Sequence, residues 1–151
     1  MAMAEQIAID SNVLVALIDS RDKWHVEANV LLSALKDRGL QPVYFDCVLN
    51  ETVSVLARRS EEQRRSEELP ALLGQLLTKV PRKIIVWISG ETERQYDEII
   101  DLVVSSSGGL NFHDALMVLT CRELGIPFVA SFDTDFDDIS CLTRLGGPGS
   151  M

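Results

Sequence analysis

The chain predicts an α/β fold, a three-layer α/β/α sandwich around a central, mostly parallel sheet of four to five strands. Short apolar runs at residues 6–10, 42–45, 83–88 and 127–131 alternate with longer amphipathic stretches, the pattern of strands joined by helical crossovers. With 151 residues, 46% hydrophobic and 25% charged, the chain fits one domain that buries its own core. Acidic residues also stand where several apolar runs give way to a helix or turn. In an open parallel sheet, that is where the carboxyl ends of strands converge on one crevice.

Gln6 to Asp10 reads as a short buried strand, followed by an apolar helix over Val13–Ile18 that Asp10 or Ser11 caps. A second helix is expected from about Trp24 to Leu35, with Val26, Val30, Leu31 and Leu35 at helical spacing. Lys36-Asp37-Arg38-Gly39 ends it with cations and a glycine. Pro42–Phe45 is the second strand and leads to a helix from about Val48 to Arg59. The charged run Ser60–Glu68 and the apolar stretch Leu69–Leu77 suggest one or two helices, interrupted or restarted near Pro70. Lys83–Ile88 is the third strand. Glu91 to about Val104 is a helix closed by Ser105-Ser106-Ser107-Gly108-Gly109, and Phe112–Leu124 is the last long helix, ended by Gly125. Pro127–Ser131 is the fourth strand. Residues 1–145 read as a single domain, and Gly146–Met151 as a flexible tail that need not be native sequence.

No apolar run approaches the ~18 residues of a membrane span, and the N-terminus lacks a basic start. Three cysteines, Cys47, Cys121 and Cys141, have no metal-ligand spacing and read as buried reduced thiols, so a cytoplasmic protein is expected. The net charge is −9, contrary to the basic footprint of a nucleic-acid binder. It is unevenly spread. Residues 58–83 hold seven of the fourteen cations against four acids, and Arg58, Arg59, Arg64 and Arg65 are the candidates there to meet phosphates. A solvated helix with Glu–Arg pairs at helical spacing explains the same residues.

Four acids carry the chemistry: Asp10, Glu51, Asp114 and Asp133. Each has a local explanation. Asp10 can cap a helix, and Asn111-Phe112-His113-Asp114 can form a capping box. Yet Asp114 shares a helical face with Met117, Val118 and Cys121, and Glu51 shares one with Val48 and Val55, so neither points simply to solvent. Gathered at one crevice, the four would repel one another unless a hard cation such as Mg²⁺ or Mn²⁺ joined them. That points to metal-dependent phosphodiester chemistry. The turn from Ser131 to Asp138 fails as an EF-hand, because the sixth and twelfth positions from Asp133 hold Asp138 and Arg144. It fails as a haloacid-dehalogenase-type phosphatase because the Asp-x-Asp pair lies near the C-terminus and no lysine follows Lys83. A receiver-like signalling domain also needs a late lysine. Phosphate-binding loops and nucleophile elbows are missing. His113 stands beside Asp114, either as a contact to substrate or metal-bound water or as a helix-start histidine with a structural partner.

The ordered set of Ile-Ala-Ile-Asp10-Ser-Asn-Val-Leu, Leu-Asn-Glu51-Thr-Val-Ser, Leu-Asn-Phe-His-Asp114-Ala-Leu and Val-Ala-Ser-Phe-Asp133-Thr-Asp resembles the PIN domain family, and within it the VapC-type toxin ribonucleases. The resemblance spans residues 6–136. It implies Asp10, Glu51, Asp114 and Asp133 as catalytic acids holding Mg²⁺ or Mn²⁺. Asp135 is a fifth acid, since relatives differ in which acid of this turn faces the metal. Ser11, Asn12, His113 and Ser131 would support the site, with Ser131 in the place of a common threonine. The implied activity is endoribonuclease cleavage of single-stranded or looped RNA by a metal-activated water, leaving 5′-phosphate and 3′-hydroxyl ends. The implied partners are RNA, a second copy in a homodimer and a small antitoxin protein. A PIN-like module that binds RNA or protein with little catalysis is the competing reading. Degenerate members usually lose an acid, and this chain keeps all four.

Overall fold

The computed structural model describes residues 4–147. Five parallel strands form one sheet in the order β3-β2-β1-β4-β5, where β1 is Gln6–Ile9, β2 Gln41–Phe45, β3 Ile85–Val86, β4 Phe128–Ala130 and β5 Thr143–Leu145. β1 is central. It pairs with β2 through Ala8 opposite Val43 and with β4 through Ala8 opposite Val129. Ile7, Ala8 and Ile9 are wholly buried, as a strand covered on both faces requires.

Six helices connect the strands: α1 (Ser11–Ile18), α2 (His25–Asp37), α3 (Asp46–Glu62), α4 (Leu69–Lys79), α5 (Thr92–Ser105) and α6 (Phe112–Leu124). The chain steps outward from β1 to β2 to β3, then returns across the sheet to β4 beyond β1. Right-handed crossovers running in opposite directions lie on opposite faces of a sheet, so α1–α4 cover one face and α5–α6 the other. The reversal falls between β1 and β4, which makes the carboxyl ends of those strands the topological switch point.

Local signals mark most boundaries. Asn111 and Asp114 form the capping box at the start of α6: the Asn111 side chain accepts from the Asp114 amide at 2.8 Å, and the Asp114 carboxylate accepts from the Asn111 amide at 3.1 Å. Gly125 closes that helix in the left-handed conformation, φ 70°. Pro70 lies in the first turn of α4, where a missing N–H costs nothing.

Three expectations need correction. Lys83–Ile88 is not a six-residue strand, because Arg82–Ile84 form a 3-10 turn and only Ile85 and Val86 pair with β2. The run then leaves the edge of the sheet with Trp87 exposed, and the Asp46 carboxylate accepts from the Ile88 and Ser89 amides and the Ser89 hydroxyl. In α2 the core face is Ala28, Leu31 and Leu35, while Val26 and Val30 are exposed. Cys47 and Cys121 are buried free thiols, but Cys141 is exposed in the loop before β5. Residues 148–151 of the expected tail lie outside the described residues, whereas Gly146 and Gly147 are half-buried.

A near-buried ion cluster joins the end of α1 to the turn after α3. The Arg65 guanidinium donates to Asp19 at 3.1 Å, to Glu68 at 2.6 Å and to the Gln63 side chain at 2.7 Å. Burial alone would raise the Asp19 carboxyl, but hydrogen bonds from Arg65 and the Arg21 amide, with the charges of Arg65 and Arg59, hold it below the usual carboxylate range. Removing one partner strands a charge that water reaches poorly. Arg65→Ala should therefore cost about 2–3 kcal/mol in urea unfolding at neutral pH, and Asp19→Asn combined with Arg65→Met should recover part of that loss. Equal losses in the single and double variants would show that the two residues do not stabilise through each other.

Candidate metal centre

The switch point is built around one hydroxyl. β1 ends at Asp10, which is buried and caps α1: one carboxylate oxygen accepts from the Ser11 amide at 2.8 Å, and the other accepts from the Ser131 hydroxyl at 2.7 Å. Ser131 follows β4 directly. Its oxygen also accepts from the Asn12 side-chain amide at 3.2 Å and from the Asp133 backbone amide at 3.0 Å. Asn12 returns the contact, its carbonyl oxygen accepting from the Phe132 amide at 3.2 Å. The first turn of α1 is thereby stitched to the chain leaving β4, and Asp10 is fixed between them.

The other acids come from three further segments. Asp114 is buried in the first turn of α6, on the inward face shared with Met117, Val118 and Cys121. Glu51 is half-buried on α3 and lines a cleft with Ser11 and Asn12. Asp133 caps the 3-10 turn after β4, its carboxylate accepting from the Asp135 amide at 2.9 Å. Their mutual repulsion marks them as one group. The Asp114 carboxyl is pushed up to about 7, first by burial and then by the charges of Asp10, Glu51 and Asp133 against the Asn111 hydrogen bond. Asp10 rises to about 6, chiefly by burial and further through Glu51 and Asp133, although the Ser131 and Ser11 hydrogen bonds oppose this.

This donor set is all carboxylate and hydroxyl oxygen, which suits hard cations such as Mg²⁺ or Mn²⁺ and not thiolate-seeking metals. Among the described residues no three acidic, histidine or cysteine side chains form a ready-made cage. Mg²⁺ keeps several waters and takes one or two carboxylates directly, so it does not need a closed cage of protein ligands.

The remaining expected residues fall less neatly. Asp135 is exposed, and its carboxyl is raised mainly by hydrogen bonding to Asp133 and by that residue's charge; its side chain lies against Gly109, where a Cβ would come within 3.0 Å of it. Of the acids in this turn, Asp133 is the one whose charge bears visibly on Asp10 and Asp114. His113 is half-buried one residue before Asp114, its ring edge-on to Phe112. Arg58 and Arg59 line the cleft, Arg58 loosely paired with Glu62 at 3.9 Å and Arg59 donating to Asp22 at 2.6 Å. Arg64 is exposed at a left-handed turn position, φ 55°. Arg65 departs from the expected phosphate-facing role, because it is buried and committed to Asp19 and Glu68. Sequence reasoning missed Trp24 and Phe132, which stack beside the acids. Phe132 stands between two candidate residues, Ser131 and Asp133, and that position was the available signal.

The raised carboxyls give a pH dependence with a definite sign. Asp10 and Asp114 bind protons more tightly folded than unfolded, so in the metal-free protein the stability that these two groups contribute is lost as pH rises from about 4 through about 7. Asp114→Asn keeps an oxygen for the Asn111 amide and removes the charge. At about pH 8 without metal it should be more stable than the wild type, by on the order of 2 kcal/mol, and the advantage should vanish near pH 4. Thermal melts across that range would detect it, and a pH-independent difference would rule out the electrostatic cause.

The comparisons with known proteins agree with this architecture. The PIN domain family model matches residues 7–141. No curated protein matches the chain. Among solved structures, the chain is similar to VapC20 of Mycobacterium tuberculosis, described as a sarcin–ricin loop cleaving toxin, with a TM-score of 0.66 and 22% identity over 89% of this chain and 95% of that one. It is similar to VapBC2 of Rickettsia felis, solved bound to a promoter DNA fragment, with a TM-score of 0.63 and 15% identity over 93% and 97% of the two chains. DNA-bound VapBC of Salmonella typhimurium gives a TM-score of 0.61 and 11% identity over 95% and 98%. The family match covers most of the chain and the fold is the one these structures share, so the chain belongs to the PIN domain family.

Proposed function

We propose that this protein is a metal-dependent endoribonuclease, the toxin of a toxin–antitoxin pair. The observation that carries the reading is the electrostatic coupling of acids from four separate segments at the switch point between β1 and β4. Structural capping explains Asp10 and Asp114 singly, but it does not explain why Glu51 and Asp133 bear on both. Membership of the PIN family supports the same conclusion.

Asp10, Glu51, Asp114 and Asp133 would hold Mg²⁺ or Mn²⁺. The bound ion supplies Lewis acidity, lowering the pKa of water and neutralising charge on the departing oxygen. The protein's own share is positioning. Ser131 and the Ser11 amide hold both oxygens of Asp10, and the Asn111 amide takes one oxygen of Asp114. Glu51 and Asp133 complete the ring of charge from the neighbouring α3 and the β4 turn. Single-stranded or looped RNA, which can bend into a carboxylate-lined crevice, is the substrate class, and exposed Arg58 and Arg64 are among the cations that would guide it. Asp10→Asn or Asp114→Asn should lower RNA cleavage about a hundredfold or more in Mn²⁺ while leaving a folded protein. Mg²⁺ or Mn²⁺ should raise the melting temperature of the wild type and not of the double variant. Folded variants that still cleave at the wild-type rate would overturn the assignment.

Two partners belong to this reading. A small antitoxin would lay a segment across the crevice; the similarity to VapBC structures supports such a partner without bearing on where it binds. A second copy would pack on the helices flanking the site, where Val26 and Val30 on α2 and Leu77 on α4 are exposed beyond what one buried face requires. Light scattering should then report about twice the 16.8 kDa chain mass, and a single-chain mass at every concentration would remove the dimer without touching the nuclease.

A further inference from the structure

The cleft beside the acids carries a feature that cleavage itself does not use. Trp24 and Phe132 stack, with ring centroids 4.8 Å apart and planes 14° from parallel. Phe132 is half-buried between Ser131 and Asp133, and Asn12 holds its amide. Trp24 is 38% exposed and lines the same cleft as Ser11, Asn12 and Glu51, which encloses about 510 Å³.

A large aromatic left part-exposed on a loop needs a reason, since core packing would have covered it. Stability of the loop does not supply one, because polar contacts already fix the segment. Asp22 accepts from the Trp24 amide at 2.8 Å and from Arg59 at 2.6 Å, Asp19 accepts from the Arg21 amide at 3.0 Å, and the His25 ring nitrogen Nδ1 lies 2.7 Å from the Ala16 carbonyl. The ring is held before anything binds. The Lys23 ammonium stands 5.5 Å from the Trp24 ring centre, and exposed Arg21 and Arg58 line the same opening. Preset aromatic faces among cations are the two parts of a single-strand binding site: π-surface for bases and positive charge for the backbone.

We propose that the Trp24–Phe132 stack is a base platform, on which a nucleobase flanking the scissile phosphate stacks while Lys23, Arg21 and Arg58 meet the adjoining backbone. The inference rests on the ribonuclease reading and adds to it where the strand lies. Stacking accepts any base through its π-face, so the platform sets register, not sequence. Lys23 is exposed on a flexible side chain, so it can turn from the ring to a phosphate as the base arrives.

The test separates the platform from the chemistry. Trp24 and Trp87 are the two tryptophans of the chain, and Trp87 is exposed, so Trp87→Phe leaves Trp24 as the single tryptophan emitter. In that background with Asp114→Asn and chelator, short oligoadenylate should quench the emission to saturation. An abasic strand of equal length should quench little and bind about tenfold more weakly or worse. In the same assay on RNA anisotropy, Trp24→Leu should weaken oligoadenylate binding about tenfold, with Trp24→Tyr restoring most of it. In metal-loaded protein without the Asp114 change, Trp24→Leu should raise KM more than it lowers kcat. Equal affinity for the oligoadenylate and abasic strands, Leu performing as well as Tyr, or no binding by folded protein at low salt each overturns the platform. Wild-type protein that never cleaves RNA would instead sink the reading beneath it, and quenching that still discriminates oligoadenylate from the abasic strand would keep the platform as a binding site.

Discussion

The Ser131 hydroxyl is the pivot of the molecule's functional end. It donates to Asp10 and accepts from Asn12 and the Asp133 amide, so a single oxygen joins the ends of β1 and β4, the first turn of α1 and the acidic turn. These segments are far apart in sequence, and without such a junction each could adjust independently. The hydroxyl has one proton and two lone pairs, and all three are used. An alanine, which differs only by the missing oxygen, would keep the packing and lose the whole arrangement.

That junction works against a persistent strain. The chain carries nine more negative than positive charges, and it gathers four of its acids where water is scarce. Desolvation and like-charge repulsion both favour protonation of Asp10 and Asp114. Among the described residues, Arg65 is locked to Asp19 and Arg59 is turned to Asp22, so neither neutralises these acids. On the nuclease reading, a divalent ion shared by the same acids would supply the positive charge that protons supply without it. The overall acidity of the protein is thus partly a property of its site, and it does not argue against an RNA substrate.

Much of this was legible in the sequence. Strand–helix alternation predicts the layers, and Asn111-Phe-His-Asp114 and Gly125 mark both ends of α6. The four acids could be singled out because each followed an apolar run or faced inward on a helix. What escaped has a common cause. β3 and β5 are edge strands of two and three residues, too short for any period to register, and the extended look of Lys83–Ile88 reflects a 3-10 turn and a loop tied to Asp46. Arg65 resembled a surface cation because nothing local reveals that Asp19 waits at the end of another helix. The Trp24–Phe132 stack is likewise a long-range meeting, visible only once the chain is folded.

The acids of the site differ in what else they do, and this bears on how such a chain would decay. Asp114 closes a capping box and Asp10 caps α1, so folding alone favours keeping both even after activity is gone. Among the described residues, Glu51 has no hydrogen bond that would hold its carboxylate in a structural role. On the nuclease reading, a lineage released from selection for cleavage would shed Glu51 with little harm to the fold. The identity of position 51, more than the conspicuous aspartates, therefore separates a working descendant from a relic.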